Sequence, residues 1–494
     1  MFNLRSKSTF YWLLIVLIIL LFFSDILFSY FSQDDFFHLR VVMTKNFGDI
    51  PSFFLSMQSE YAFYRPLSRE TFNLIMYKVF GLNPLPFHIV NFGFILSNIY
   101  LVYKLMGKIV KDKSASFLAA LVYAVSSIHS IELFYLASVQ TLLASFFMLL
   151  SIIFYINFRS QGNNFFFLPA LLAFILGLAS HETAIVLPGV LILIILFLRK
   201  KGQKIVDLRL YLPLLPFLLT GAFYLLSTSL LSGMPEQKVY QPIFSIKGVI
   251  NSLSWYTLWS FGMSEIFADF IGPKFSIHPS LMKYYGQYTV VSVAMLGILL
   301  SILAFLSFQV RKVRADWRPV ILFGLSFIFA LFPFLFFPQH KSSYYLTFST
   351  VWFSSFLASI LFSGWRISKL SRLTVILFLI IFGALSYQTV KLNHLTYWAA
   401  KRAPAAKYIL SDIKITYPHP GKGSIFYIKD DPEYPFIAKE WGSSSKQAFY
   451  ILSGSDALKL LYLDPTIRVY FEGMGIPLDA DLTKAIQYTA KFPY

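Results

Sequence analysis

Residues 10–35 read FYWLLIVLIILLFFSDILFSYFSQDD. From Phe10 to Tyr30 the run is apolar over about the 20 residues a helix needs to cross hydrocarbon. It follows Arg5 and Lys7 as a signal peptide would, but it is too long for one and has no small-residue cleavage site, so it reads as a retained anchor. Two adjacent carboxylates, Asp34 and Asp35, come directly after it. The same kind of stretch recurs along most of the next 360 positions: Phe87 to Leu105, Ser114 to Ser130, Phe134 to Tyr155, Phe165 to Leu178, Thr183 to Leu198, Leu210 to Leu231, Thr289 to Phe308, Val320 to Phe337, Tyr344 to Phe362 and Leu373 to Tyr387. The expectation is an all-α polytopic membrane protein of about eleven spans. β-barrel alternation is absent.

Composition agrees. Of 494 residues, 57% are hydrophobic and 13% charged, more apolar surface than one soluble core of this size would use. The formal charge of +18 does not point to nucleic acid, because the basic residues are scattered between apolar segments rather than gathered on one face. They fall on alternate connections: Arg5 and Lys7; Lys108, Lys111 and Lys113; Arg159; Arg199, Lys200, Lys201, Lys204 and Arg209; Arg311, Lys312, Arg314 and Arg318; Arg366, Lys369 and Arg372. Short Lys/Arg-rich loops stay cytoplasmic, which predicts a plasma-membrane protein with its amino terminus inside and its carboxyl terminus outside. The chain has no cysteine, so disulfide, thiolate-metal and cysteine-nucleophile chemistry are excluded.

The residues from 391 onward differ from the preceding 390. Pro and Gly punctuation, charges of both signs, strand-like runs at Ser424 to Lys429 and Ile467 to Phe471, and a helix-like stretch at Ser455 to Tyr462 predict a small α+β extracytoplasmic domain.

The polar residues with chemical potential gather on the outer connections. Asp34 and Asp35 sit where a carboxylate could deprotonate an acceptor hydroxyl at the membrane surface, although a lone acid pair is more often solvated loop. Glu182, in Ser180-His181-Glu182-Thr183, lies between two spans with almost no other polar residue nearby; it either serves a site or caps the helix beginning at Thr183. His129 and Glu132 share one helical face and are as well read as a local hydrogen-bonded pair as a substrate contact. Arg65, His340 and Lys341, next to Tyr344, are cations on the outer side, where an anionic phosphate or lipid headgroups account for them; the planar fork of Arg65 suits phosphate best. No cofactor is expected: a glycine-rich phosphate loop is absent, and although His129 and His181 with the carboxylates suggest a divalent metal as the alternative, no HExxH-like spacing supports it.

In order along the chain, Tyr64-Arg65-Pro66-Leu67, Gly81-Leu82-Asn83-Pro84, Phe87-His88-Ile89-Val90-Asn91, His129 with Glu132 and Gln140, and Ser180-His181-Glu182-Thr183-Ala184 resemble the motif series of the GT-C superfamily of polytopic glycosyltransferases. The closest likeness is to the transmembrane O-mannosyltransferases with TPR repeats and their bacterial relatives. The likeness covers roughly the first 200 residues; His181 stands where the family has lysine, Ser130 where it has proline, and no TPR array follows. The resemblance implies a polyprenyl-phosphate sugar donor, a hydroxyl acceptor on a protein or a cell-envelope glycan or lipid, and inverting transfer on the outer face. It further implies Asp34 as base with Asp35 beside it, a sugar and acceptor pocket lined by His129, Glu132, His181 and Glu182, and a donor phosphate held by Arg65, His340 and Lys341. A lipid-linked glycan ligase or polymerase shares that architecture. A transporter or flippase would carry charges in several spans and inverted repeats, which this sequence lacks.

Overall fold

A computed structural model describes residues 4–55, 63–199, 203–205, 207–231, 241–272, 276–313, 316–434, 442–477 and 482–492. Lys200, Lys201 and Arg314 of the basic connections, and residues 232–240 of the long connection from Ser232 to Tyr288, lie outside them. Seven described helices are long and apolar enough to cross a membrane, or eight if one bent pair counts as a single span. The chain is a helical multi-pass membrane protein. The remaining apolar stretches form shorter helices, Asn164–Ser180 and Glu182–Leu198 among them.

Local chemistry sets where these helices begin and end. The first, α1 (Leu4–Phe23), leads through a short 3-10 turn to α2 (Asp34–Met43) and α3 (Ile50–Leu55). A π-helical turn at Pro66–Phe72 precedes α4 (Asn73–Phe80). In α5 (Pro84–Ile109) the Asn83 side chain accepts from the Leu85 amide while Pro84 opens the helix, satisfying and sparing amides that have no intrahelical partner. Asp112 caps α6 (Lys113–Ala124) through the Ser114 and Ala115 amides. After a break the chain continues as α7 (Ile128–Phe134), bent 51° from α6. The long α8 (Val139–Gln161) stops at Gly162, whose φ of +67° glycine adopts without steric cost. Then follow α9 (Phe167–Ser180), α10 (Leu187–Leu198), α11 (Leu215–Leu231) and α12 (Ile246–Ser260). After these come α13 (Phe267–Phe270), α14 (Pro279–Lys312), α15 (Arg318–Leu331), α16 (Ser349–Trp365), α17 (Lys369–Thr396) and α18 (Trp398–Thr416).

Burial separates the bundle into a hub and a lipid-facing shell. On α8 the side chains from Val139 to Ser145 are buried, and it packs against α5 and α9. The α16 helix is buried over most of its length although rich in Ser and Thr. Thr350, Ser355 and Ser359 donate to carbonyls one turn back, so their hydroxyls are satisfied inside the helix and allow close approach of α6 and α15. By contrast α1 and α14 present Leu13, Leu17, Leu21, Val290, Val293 and Phe308 outward, apolar surface that hydrocarbon accepts.

In the C-terminal segment three parallel strands stand in the order β2-β1-β3: β1 (Ile425–Lys429), β2 (Arg468–Phe471) and β3 (Ile486–Thr489). Ile425 pairs with Arg468 and Phe426 with Ile486. The helices Ser444–Ile451 and Asp456–Tyr462 fill the crossover that a parallel β1–β2 pair requires. The third strand is not among the runs that the sequence reading named. Phe426 and Ile428 belong to one apolar cluster with Phe36, Leu39 and Val42 of α2, Phe53 of α3, Leu74 of α4 and Ile409 and Ile413 of α18. The first loop and the C-terminal sheet therefore share a core.

Candidate functional site

The acidic pair opens α2, and its two members lie in different surroundings. Gln33, just before them, has φ 47° and ψ −113°, a left-handed conformation that costs a non-glycine residue on the order of 1–3 kcal/mol and that surrounding structure must hold. Its amide donates to the Ile451 carbonyl (2.9 Å), and its side-chain oxygen accepts from Arg402. Asp35 turns inward and is buried; its two oxygens accept from the amides of Ser32 (2.9 Å) and Ala137 (2.8 Å). Burial pushes the Asp35 carboxyl up to about 8, opposed by those two amides and reinforced by the charge of Asp34. Asp35 thus staples the first loop to the turn before α8. Asp34 is half-buried, and one of its oxygens accepts from the Tyr135 hydroxyl at 2.8 Å. Among the described residues nothing donates to the other.

Around Asp34 stand rings and one guanidinium. Tyr135 meets Trp398 edge-on at 5.0 Å and Tyr344 at 6.1 Å; Tyr344 in turn lies 4.1 Å from Tyr345. Arg402, one turn into α18, lies over Trp398 at 5.4 Å and over Tyr450 at 5.8 Å. Burial lowers the Arg402 pKa, and the nearby Asp34 charge opposes that shift.

Deeper, the sequence-predicted residues form a second cluster. Arg65 grips Glu182 with both arms of its fork, Nε to Oε2 at 2.9 Å and Nη2 to Oε1 at 2.6 Å, and its third nitrogen donates to Gln140. The amide of Gln140 also reaches His38 at 3.2 Å, and burial holds His38 well below the usual imidazole range. The sequence reading gave the fork of Arg65 to a phosphate; in the fold it is occupied by Glu182. Glu182 is also not the cap of the following turn: His181 is, its Nδ1 accepting from the Thr183 amide at 3.2 Å. Beside this cluster Arg69 and Glu70 make a buried pair of neighbours, Nη2 to Oε1 at 2.5 Å.

The other sequence-predicted residues are arranged differently. His129 and Glu132 are fully buried; one imidazole nitrogen contacts Glu132 (2.8 Å) and the other the Tyr123 carbonyl (2.8 Å), so the ring is engaged on both sides within its own bent segment. Lys341 donates to the Pro338 carbonyl (2.7 Å) and to Asn251 of α12 (3.2 Å), and His340 packs edge-on against Tyr345 at 5.9 Å. Tyr344 is in the Asp34 neighbourhood. Glu265, unremarked in the sequence, anchors this turn by accepting from the Ser343 amide (2.8 Å) and hydroxyl and from the Ser342 hydroxyl (3.4 Å); burial raises its pKa, opposed by those bonds. Tyr135, Trp398, Arg402 and Gln33 were missed. Only Gln33 had a local signal, its place before the acid pair; Arg402 is 369 positions from its partner Gln33. Among the described residues no group of three or more His, Cys, Asp or Glu is placed to hold a metal ion.

The chain matches no protein-family model, no curated protein and no solved structure.

Proposed function

We propose that the protein is a GT-C-type glycosyltransferase that moves a monosaccharide, mannose-like in kind, from a polyprenyl-phosphate donor to a hydroxyl acceptor. The acceptor is a protein or a cell-envelope glycan or lipid at the extracytoplasmic face of the plasma membrane. Eleven spans, an inside amino terminus and an outside C-terminal domain complete that reading. The observation that carries it is Asp34: a half-buried carboxylate at the strained start of α2, with one oxygen held by Tyr135, the other without a donor among the described residues, and aromatic side chains beside it.

The reaction asks for little more. The acceptor hydroxyl gives its proton to Asp34 as its oxygen bonds to the anomeric carbon, while the bond from that carbon to the phosphate oxygen breaks and polyprenyl phosphate departs with the electron pair. Attack opposite the leaving group inverts the anomeric centre. Tyr135 fixes the carboxylate, and the Tyr344, Trp398 and Tyr135 rings offer apolar faces to a sugar. The Arg65–Glu182–Gln140 cluster ties the first loop to the His181 turn and to α8.

The test uses the purified chain in lipid with a panel of radiolabelled polyprenyl-phosphate monosaccharides, with and without membrane extract as acceptor. Acceptor-dependent consumption of one donor, abolished by Asp34→Asn in a folded protein, is the expected result. Absence of consumption with every donor would move the assignment to a glycan ligase or polymerase or to a transporter. The buried His129–Glu132 pair is the observation that favours a transporter, since ionisable pairs at that depth serve proton relays in pumps.

A further inference from the structure

A departing phosphate monoester needs a cation whose charge is not already met by a carboxylate. Of the guanidinium groups on the first loop, three are paired: Arg65 with Glu182 (2.6 Å), Arg69 with Glu70 (2.5 Å) and Arg40 with Asp456 (3.0 Å). Arg402 differs. Its partner is the neutral side-chain oxygen of Gln33, the residue before Asp34, and among the described residues it has no ion pair. A guanidinium carries five N–H donors, so one bond to a carbonyl leaves most of the fork unspent. The group is partly buried, and although the charge of Asp34 acts on it, no described carboxylate lies within ion-pair distance, so its N–H donors can still meet an arriving anion. Two rings, Trp398 and Tyr450, hold its plane. Its position is also not left to a loop: α18 is locked through Ile409 and Ile413 into the core shared by the first loop and the C-terminal sheet.

We propose that Arg402 is the residue that binds the phosphate of an isoprenyl-phosphate ligand, next to the Asp34 carboxylate; this rests on the transferase reading for the chemistry but not for the binding. It shifts the phosphate contact from Arg65, whose fork is occupied, to a residue after the last membrane helix. It also gives the C-terminal segment a task in the site, which is to hold α18 where Arg402 faces the start of α2.

Binding is measured directly on the full-length protein in phosphatidylcholine nanodiscs, with radiolabelled farnesyl phosphate as probe and farnesol as the uncharged comparison. Arg402→Gln should weaken farnesyl phosphate binding roughly 10- to 100-fold, the worth of charge-assisted hydrogen bonds, and leave farnesol binding unchanged. Arg402→Lys, which keeps the charge and loses the planar fork, should recover only part of the loss. Inorganic phosphate should compete, and vesicles containing phosphatidylglycerol should compete poorly. Undiminished affinity in a folded Arg402→Gln protein overturns the proposal. So does full affinity in Arg402→Lys, or competition by phosphatidylglycerol equal to that of farnesyl phosphate, since each removes the recognition of a monoester by the fork. Donor consumption by the wild-type protein separates the two readings. If farnesyl phosphate binds through Arg402 while no donor sugar is consumed by wild-type protein, the transferase reading fails and the phosphate site stands.

Discussion

Replacing Arg65 or Glu182 by methionine, singly and together, measures what their forked contact contributes to the fold. The two hydrogen bonds, at 2.9 and 2.6 Å, are short and parallel, and the side chains are 15% and 32% exposed, so the pair lies between the surface and the interior. Exposed pairs couple by about 0–1 kcal/mol, whereas breaking a buried one costs about 3–5 kcal/mol. An intermediate coupling of about 2–3 kcal/mol follows, roughly a 30- to 150-fold change in the folded-to-unfolded ratio. Each single variant should lose more than its own contacts, because the remaining charge is left without its partner; the double variant should lose less than the sum. Unfolding midpoints in mixed micelles with rising denaturing detergent supply the four free energies. A coupling below about 0.5 kcal/mol, the ordinary additivity error, would refute the view that Arg65 is a strut joining the first loop to the His181 turn.

Three further outcomes are expected. Asp34→Asn should lower the turnover of the transfer reaction by about 10²- to 10⁴-fold, the usual worth of a positioned base, with an unchanged unfolding midpoint; near-normal turnover removes Asp34 as the base. Folded Asp35 keeps its proton up to about pH 8, whereas an unfolded aspartate releases it near about 3.9. The folded chain therefore binds the extra proton between those values, and stability falls as pH rises through that window. Asp35→Asn should flatten the slope in a melting series against pH, and an identical slope in the variant contradicts the assignment. Gln33→Gly relieves the positive φ and should raise the unfolding midpoint while lowering turnover, because the Arg402 contact is lost with the side chain; a lower midpoint would show that the strain is not held there.

The helical membrane class was readable because periodicity and length are local: Phe10 to Tyr30 needs only its own composition to be recognised as a span. The acids at the ends of apolar runs were readable for the same reason, as residues following those runs. The pairing among them was not. Nothing near Arg65 in the chain says that Glu182, 117 positions later, fills its fork, or that Tyr135 reaches back 101 positions to Asp34. The different surroundings of Asp34 and Asp35 depend on which backbone amides the fold delivers, Ala137 in particular, and two identical neighbouring letters carry no sign of it. Lys341 likewise looked like an outward cation until Asn251 and the Pro338 carbonyl were placed beside it.

The core shared by the first loop and the C-terminal sheet sets an order of events during synthesis. Ile409, Phe426 and Ile451, which share a core with the helix carrying Asp34, leave the ribosome several hundred residues after it. Until then Phe36, Leu39 and Val42 have no protein surface to meet and must rest against the bilayer or a chaperone. The amide bond from Gln33 to the Ile451 carbonyl cannot close before that point either. A nascent chain halted after α17 would thus hold its spans and still lack the partners of α2, so that maturation is gated by arrival of the segment carrying α18 and the sheet.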